Sequence, residues 1–257
     1  MKKSLKWVIL SSALVWGLSG CTSTTTTSSS SSSSLSTKDG YKAASYNAQL
    51  GVNYLQIGRL DLAKEYLEKA LRYDPKSIEA NHYYALLQER LGDNTLATRH
   101  FVKAVRASKT PSSELMNNYG SHLCRVGQYT KAINAFKTAL RDPLYVTPEY
   151  AYANIGVCLM KQDQIDEAEG YFQQALDKND KFALALYQLA DVSYRKHDYA
   201  KAQALWFRYR DSGPQTAESL LLCTQISVAL QDNAQAEQCT NTLLARFPTS
   251  AEAQQLN

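Results

Sequence analysis

Residues 50–75 read LGVNYLQIGRLDLAKEYLEKALRYDP, and this stretch contains the pattern that decides the fold. A small residue, Gly51, is followed twelve positions later by Ala63 and sixteen positions later by the bulky Leu67. Apolar residues recur at helical spacing on both sides of Gly58, which predicts two amphipathic helices joined by a turn. Pro75 falls where the second helix must stop. The stretch therefore predicts one helix–turn–helix unit.

The same unit recurs six times along the chain. The small position is occupied in turn by Gly51, Ala85, Gly120, Gly156, Ala190 and Thr224. The alanine position is occupied by Ala63, Ala97, Ala132, Ala168, Ala202 and Ala236. The bulky position is occupied by Leu67, Phe101, Phe136, Phe172, Trp206 and Thr240. This periodicity of 34 to 36 residues resembles the tetratricopeptide repeat (TPR), which implies an all-α, right-handed α-solenoid of six TPR repeats.

The repeats account for almost all of the chain after an N-terminal leader. We place them at 44–77, 78–111, 113–146, 149–182, 183–216 and 217–250, followed by a C-terminal tail at 251–257. The extra residues at the junction of the third and fourth repeats form the segment DPLYVTP at 142–148, which predicts a longer connection there. The sixth repeat has threonines at two core positions, as expected of a terminal repeat that faces solvent on one side.

The N-terminus has the form of a lipoprotein signal peptide. Residues 1–20 combine three lysines with an apolar core at 7–18, which is too short to span a bilayer of roughly 20 helical residues. The following LSGC motif resembles a lipobox, and it implies that Cys21 is lipidated; the alternative is an ordinary signal peptide with a nearby cysteine. Thr22 in place of Asp resembles an outer-membrane sorting signal, so we expect a lipid-anchored domain that faces the periplasm.

Residues 21–43 are predicted to form a disordered tether. Fifteen of the residues 22–37 are Ser or Thr, a composition that cannot bury enough apolar surface to offset the cost of ordering. The charge balance changes when the leader is removed. Three of the 28 basic residues and none of the 24 acidic residues lie in residues 1–20, so the formal net charge falls from +4 to +1. A nucleic-acid partner, which needs a basic face, is not expected.

No pattern of reactive or metal-binding side chains predicts an enzyme. The four histidines at 82, 100, 122 and 197 form no i, i+4 pair, and no zinc motif or phosphate-binding glycine loop occurs. We therefore expect no catalytic residues, metal, cofactor or small-molecule substrate. Cys223 and Cys239 lie on the two helices of the sixth repeat, and we expect a disulfide between them in an oxidising compartment. Cys124 and Cys158 are expected to stay reduced, as small apolar core residues.

A partner is expected in the groove that the first helices of TPR repeats line. In the first three repeats the groove positions that we select are Val52, Leu55, Gln56, His82, Leu86, Arg90, Asn117 and Arg125. Val52, Leu55 and Leu86 predict an apolar strip that suits an amphipathic helix or peptide. Either this strip is open or an N-terminal segment such as 38–43 covers it. The fourth and fifth repeats supply Val157, Met160, Tyr187 and Tyr194 at the equivalent positions.

Several less generic strings point to a particular family. They are NNYG at 117–120, DPLY at 142–145, LADVSY at 189–194 and ESLLL at 218–222. In this order, behind a lipobox, they resemble the PilF/PilW family of type IV pilus biogenesis lipoproteins over residues 44–250. The resemblance implies a pilotin that binds secretin subunits and promotes their outer-membrane localisation and multimerisation, with consequences for pilus stability and twitching motility. The alternative is a TPR scaffold of another envelope machine, such as the outer-membrane protein assembly complex or a peptidoglycan-enzyme adaptor.

Overall fold

The computed structural model describes residues 37–256, and these residues form thirteen helices and no strand. The helices are α1 (Thr37–Gln56), α2 (Leu60–Tyr73), α3 (Ile78–Arg90), α4 (Asn94–Ala107), α5 (Ser113–Arg125), α6 (Tyr129–Ala139), α7 (Pro148–Met160), α8 (Ile165–Lys178), α9 (Ala183–Arg195), α10 (Tyr199–Arg210), α11 (Ala217–Ala229), α12 (Asn233–Arg246) and α13 (Ala251–Gln254). Helices α1 to α12 form six packed pairs, each within one predicted repeat apart from seven residues at the start of α1 (37–43) and Pro148 at the start of α7. The predicted all-α solenoid is confirmed.

In the first, third and fourth pairs the two helices meet at a contact between the small and the bulky residue. The side chains of Phe136 and Phe172 are fully buried. A Cβ atom added to Gly120 would lie 2.7 Å from Phe136 Cε1, and one added to Gly156 would lie 2.5 Å from Phe172 Cε1. Only a residue without a side chain lets the helix backbone approach the ring so closely. The two residues that are sixteen positions apart in the repeat pattern therefore pack directly against each other.

A left-handed residue connects the two helices of every pair. Gly58, Gly92 and Gly127 have φ values of 79°, 84° and 78° in the first three repeats. In the last three repeats the same position is held by residues that have a side chain. These are Asp163, His197 and Gln231, with φ near 60°. The next residue donates its amide hydrogen to a carbonyl five residues back, for example Arg59 N to Tyr54 O at 2.9 Å, which closes the helix end.

The N-terminal boundary of the fold differs from the prediction. Helix α1 already begins at Thr37, so the expected tether at 21–43 is wrong for residues 37–43. Two features explain the earlier start: Asp39 lies in the first helical turn, where a carboxylate is favourable, and Ala44 is buried. Gly40 lies beside the carbonyl of Tyr73 at the end of α2. The signal peptide at 1–20, Cys21 and the rest of the tether lie outside the described residues.

The last repeat is covered by the C-terminal tail. Thr224 Oγ1 and Thr240 Oγ1 lie 3.3 Å apart at the two core positions, where the other repeats have a small and a bulky residue. Helix α13 places Ala253 against Leu220 and Leu243, and its N-cap Ser250 accepts a hydrogen bond from the Ala253 amide. The short tail helix thus buries the end of the sixth repeat.

Candidate partner-binding groove

The first helix of each pair (helix A: α1, α3, α5, α7, α9 and α11) lies on the inner side of the solenoid. Each helix A contacts the helix A of the next repeat. Within residues 37–256 no Cα atom of the second helix of a pair (helix B) lies within 8 Å of a Cα atom of the next helix B. A stack whose A helices are closer together than its B helices must curve with the A helices inside. The A helices therefore line a concave groove.

The apolar strip predicted in the first two repeats is not open. The side chains of Val52 and Leu55 are each only 4% exposed. Leu55 packs into a cluster with Leu67 and Leu87, and Leu86 is half-buried beside Phe101. The prediction is wrong because the position of a residue along a helix determines only which face of the helix it lies on. How much of that face is exposed depends on how far the neighbouring repeat covers it. Residues 38–43 do not cover the strip either, because they continue helix α1 itself.

The polar residues predicted for the groove divide between its surface and the repeat interfaces. Gln56, Arg90 and Arg125 are exposed, Asn117 is half-buried, and His82 is buried. Arg90 donates a hydrogen bond of 2.7 Å to the carbonyl of Leu55 and so joins the second repeat to the first. His82 Nε2 accepts a hydrogen bond from the amide nitrogen of Asn118 at 3.0 Å, because an amide NH₂ can only donate. His82 is therefore an interface residue rather than a contact for a ligand.

A carboxylate at the interface of the second and third repeats fixes Arg125 at the groove surface. Glu89 Oε1 accepts hydrogen bonds from His122 Nδ1 at 2.6 Å and from Arg125 at 2.7 Å. His122 is fully buried, and its Nε2 lies 2.6 Å from Thr98 Oγ1. The sequence analysis considered His122 only as a catalytic or metal-binding residue and did not predict this network. Its partners come from separate repeats, so no local spacing shows them.

Amide and hydroxyl groups form the middle of the groove. Asn154 Nδ2 donates to Asn117 Oδ1 at 3.1 Å and to Ser121 Oγ at 3.2 Å, which links the third repeat to the fourth. Lys161 lies beside these residues and is exposed. The described part of the chain shows no hydrogen bond or ion pair for the Lys161 ammonium group. The middle of the groove therefore offers a cation and polar groups to a bound chain.

Most of the accessible apolar surface of the groove lies in the fourth to sixth repeats, since Leu86 is the only residue of the predicted strip that is partly exposed. Partly exposed side chains there are Val157, Met160, Leu184, Tyr187, Tyr194 and Leu221, and Val228 is 62% exposed. We call these residues the C-terminal apolar patch. Val157, Met160, Tyr187 and Tyr194 were predicted at groove positions, but the apolar strip was predicted in the wrong half of the solenoid. Nothing in the sequence alone separates Val157, which is partly exposed, from Val52, which is buried.

A cavity of about 390 Å³ opens within this patch. Its lining consists of Ala183, Leu184, Tyr187, Tyr209, Pro214, Thr216 and Glu218. The Tyr187 and Tyr209 rings lie 5.6 Å apart, and burial raises the pKa of Tyr187 to about 12, so its hydroxyl stays neutral. Glu218 is exposed at the rim. The cavity can take one apolar side chain of a partner. A larger depression of about 870 Å³, beside Lys103 and Arg106, lies outside the groove.

The four cysteines of the described region form two disulfides. Cys223 and Cys239 join α11 to α12 within the sixth repeat, with Cα atoms 6.1 Å apart. Cys124 and Cys158 join α5 to α7, with Cα atoms 5.8 Å apart. The expectation that the latter pair stays reduced is wrong. The two residues are separated by 34 positions, about one repeat, and successive A helices pack side by side, so equivalent faces meet.

Within residues 37–256 no group of three or more His, Cys, Asp and Glu side chains could hold a metal ion. In the same region no helix combines the length and the apolar character needed to cross a membrane.

Comparison with known proteins agrees with the geometry. Tetratricopeptide-repeat family profiles match residues 44–77 and 149–182. The type IV pilus assembly protein PilF of Pseudomonas aeruginosa is 29% identical over 240 residues, which cover 93% of each chain. A solved structure of Pseudomonas aeruginosa PilF superposes with a TM-score of 0.76 at 28% identity and covers 85% of this chain and 98% of that one. The structure of PilW, described as a widely conserved type IV pilus biogenesis factor, superposes with a TM-score of 0.75 at 31% identity and covers 83% of this chain and 97% of that one. The chain belongs to the PilF/PilW family of tetratricopeptide-repeat proteins.

Proposed function

We propose that this protein is an outer-membrane lipoprotein of type IV pilus biogenesis that acts as a pilotin for secretin subunits. The observation that carries the proposal is the likeness to PilF and PilW, which spans nearly the whole length of both relatives rather than a few repeats. A shared general TPR fold alone would not favour one function, since unrelated TPR proteins share it. In this proposal the protein acts by binding and not by catalysis.

The lipid anchor of the proposed pilotin is attached at Cys21. The LSGC motif and Thr22 support this part of the proposal. Cys21→Ser removes the thiol that accepts the lipid, so the variant should not incorporate labelled palmitate and should leave the outer-membrane fraction. Palmitate labelling of the Cys21→Ser variant as strong as that of the wild type would contradict the anchor.

The client segment binds in the groove, with its apolar side on the C-terminal apolar patch. The cavity at Leu184 and Tyr187 would take one apolar side chain, and a carboxylate or backbone carbonyl of the client would meet Lys161 and Arg125. An amphipathic helix or an extended segment with alternating apolar residues has this chemistry. Of the groove positions predicted from the sequence, Gln56, Leu86, Arg90, Asn117 and Arg125 remain proposed contacts because they are wholly or partly exposed.

The test is a binding measurement with secretin subunits and a pair of matched variants. Val228→Glu puts a charge on an exposed residue of the patch, and Ala204→Glu puts the same charge on an exposed residue of α10, a B helix outside the groove. Because neither residue is buried, both variants should fold. We expect Val228→Glu to weaken secretin binding about tenfold or more, since a charge in an apolar contact is costly, and Ala204→Glu to bind like the wild type. Equal binding by both variants would exclude the patch as the client site.

A further inference from the structure

The connection between the third and fourth repeats holds two large apolar side chains out into solvent. Leu144 is 83% exposed and Val146 is 89% exposed, the highest values among the large hydrophobic residues of the described region. Between them, Tyr145 points the other way and packs against the core. A single exposed apolar residue is ordinary, but a pair presented together indicates a contact surface.

This connection is ordered by its own hydrogen bonds. Asp142 Oδ2 accepts a bond of 2.7 Å from the Ser113 hydroxyl, and Asp142 Oδ1 accepts a bond of 2.9 Å from the Leu144 amide. The Tyr145 amide donates to the carbonyl of Asp142 at 3.1 Å. These bonds fix the backbone from Asp142 to Tyr145, so Leu144 is presented at a defined place on the surface. Val146 follows directly after this ordered stretch and is likewise exposed.

The connection lies on the same edge of the solenoid as the start of α1. Two packed helices joined by three or four residues run antiparallel, so the N-terminal ends of the A helices and all B-to-A connections share one edge. We call this the entry edge; its connections are 74–77, 108–112, 140–147, 179–182 and 211–216. Other exposed apolar residues on or beside it are Tyr41, Tyr73, Ile78 and Tyr150. Ile57 and Leu91, at A-to-B turns, belong to the opposite edge.

The chain that leads to Cys21 leaves from this edge. Helix α1 begins sixteen residues after Cys21. A chain of that length spans at most about 50 Å when fully extended. A membrane that holds Cys21 is therefore always close to the domain, and the entry edge is the side from which the chain emerges.

We propose that the entry edge rests on the phospholipid surface that holds Cys21, with Leu144 and Val146 inserted at the boundary between headgroups and acyl chains. The proposal rests on the lipid attachment in the proposed function. Two side chains alone would bind a membrane weakly. The tether removes that difficulty, because it makes the second contact intramolecular, with an effective concentration on the order of millimolar.

Apolar contact rather than charge carries this docking. Basic residues end most B helices at the entry edge, among them Arg72, Arg106 and Lys178, and acidic residues such as Glu79 and Glu114 begin the neighbouring A helices. Since charges of both signs alternate along the edge, a net attraction to anionic lipid is small. The docking should therefore persist at high salt, unlike a contact made by a basic patch.

The test uses tryptophan as a depth probe in the processed, lipidated protein. Trp7 and Trp16 precede Cys21 and are absent from that form. The remaining Trp206 is only 4% exposed, so a lipid-borne quencher reaches it poorly, and its emission is subtracted with the wild type as the reference. Leu144→Trp places the probe on the entry edge. Ile57→Trp, at a residue 71% exposed on the opposite edge, is the matched control. Both variants are reconstituted into vesicles of phosphatidylethanolamine and phosphatidylglycerol that contain a doxyl-labelled phospholipid as quencher.

We expect the doxyl lipid to quench Leu144→Trp several-fold more than Ile57→Trp, with a blue shift of the Leu144→Trp emission at both low and high salt. Equal quenching of the two probes would overturn the proposal. A blue shift of Leu144→Trp only after secretin subunits are added would also overturn it, because it would assign the loop to a protein partner. If the wild-type protein does not float with the vesicles, lipid attachment itself fails, which separates that result from a failure of edge docking alone.

Discussion

At Gly120 and Gly156 a single hydrogen atom occupies the place where a methyl group would meet a buried phenylalanine ring. The alternation of small and bulky residues sixteen positions apart could be predicted from the sequence, because each pair lies within one repeat and its spacing is fixed by helix geometry. The partners of the buried histidines could not be predicted. His100 Nδ1 bonds Asn81 Oδ1 at 2.9 Å, and neither sequence position suggests the other.

Gly156→Ala should destabilise the protein although alanine is the better helix former. The new Cβ would lie 2.5 Å from Phe172 Cε1, and such overpacking costs about 1–3 kcal/mol. Gly170→Ala is the matched control, because Gly170 is exposed in α8 and its Cβ would meet nothing within 4 Å. That change should stabilise the protein by roughly 0.5–1 kcal/mol. Urea denaturation measures both free energies of unfolding, and changes of the same sign would contradict the packing account.

Two buried histidines should make the protein less stable in acid. Burial lowers the pKa of His82 and of His100 from 6.5 to about 4. Between these pH values the two histidines bind protons in the unfolded chain but not in the folded chain. Their contribution to the free energy of unfolding is therefore fully present above about pH 6.5 and is lost as the pH decreases towards about 4. The double variant His82→Gln, His100→Gln should show a smaller loss of unfolding free energy between about pH 7 and about pH 5. An unchanged loss would rule out these histidines as its source.

At the scale of helices and turns, the elements could be located well from the sequence and their ends less well. The predicted repeat boundaries follow from the positions of the prolines and from the spacing of the small residues, and both are local features of the sequence. The early start of α1 was missed because the Ser/Thr-rich composition dominated the interpretation of residues 22–43, whereas Gly40 lies beside the end of α2 in the first repeat. The disulfide between Cys124 and Cys158 was missed because it depends on how two repeats stack.

The turns of the last three repeats carry a backbone strain that glycine would relieve. Asp163, His197 and Gln231 have φ near 60°, where a side chain is unfavourable, and glycine occupies the same position in the first three repeats. Gln231→Gly should therefore raise the unfolding free energy, although the freedom that glycine gives the unfolded chain reduces the gain. Gly127→Ala, at φ 78°, should lower the unfolding free energy by about 1 kcal/mol. Thermal and urea unfolding measure both changes, and a loss of unfolding free energy in Gln231→Gly would contradict the strain.

For the whole molecule, the solenoid could be predicted and its open surface could not. The six regularly spaced repeats predict that the A helices line a groove, because each repeat can bury its apolar face only against its neighbours. Exposure within the groove depends on the size of the residues in the adjoining repeats. Val52 is covered and Val157 is partly open, although both have the same position in their repeats. Most of the exposed apolar surface of the groove therefore lies in the fourth to sixth repeats.

We propose that the protein uses its lipid anchor and groove to assemble the secretin in the outer membrane. The most direct measurement is the amount of secretin multimer in outer-membrane fractions of a strain that lacks the gene, complemented in turn with the wild type, Cys21→Ser and Val228→Glu. We predict that multimers and surface pili are lost in the deletion strain, return with the wild type, and return poorly or not at all with either variant, while Ala204→Glu restores them. Normal multimers and pili in the deletion strain would contradict the account.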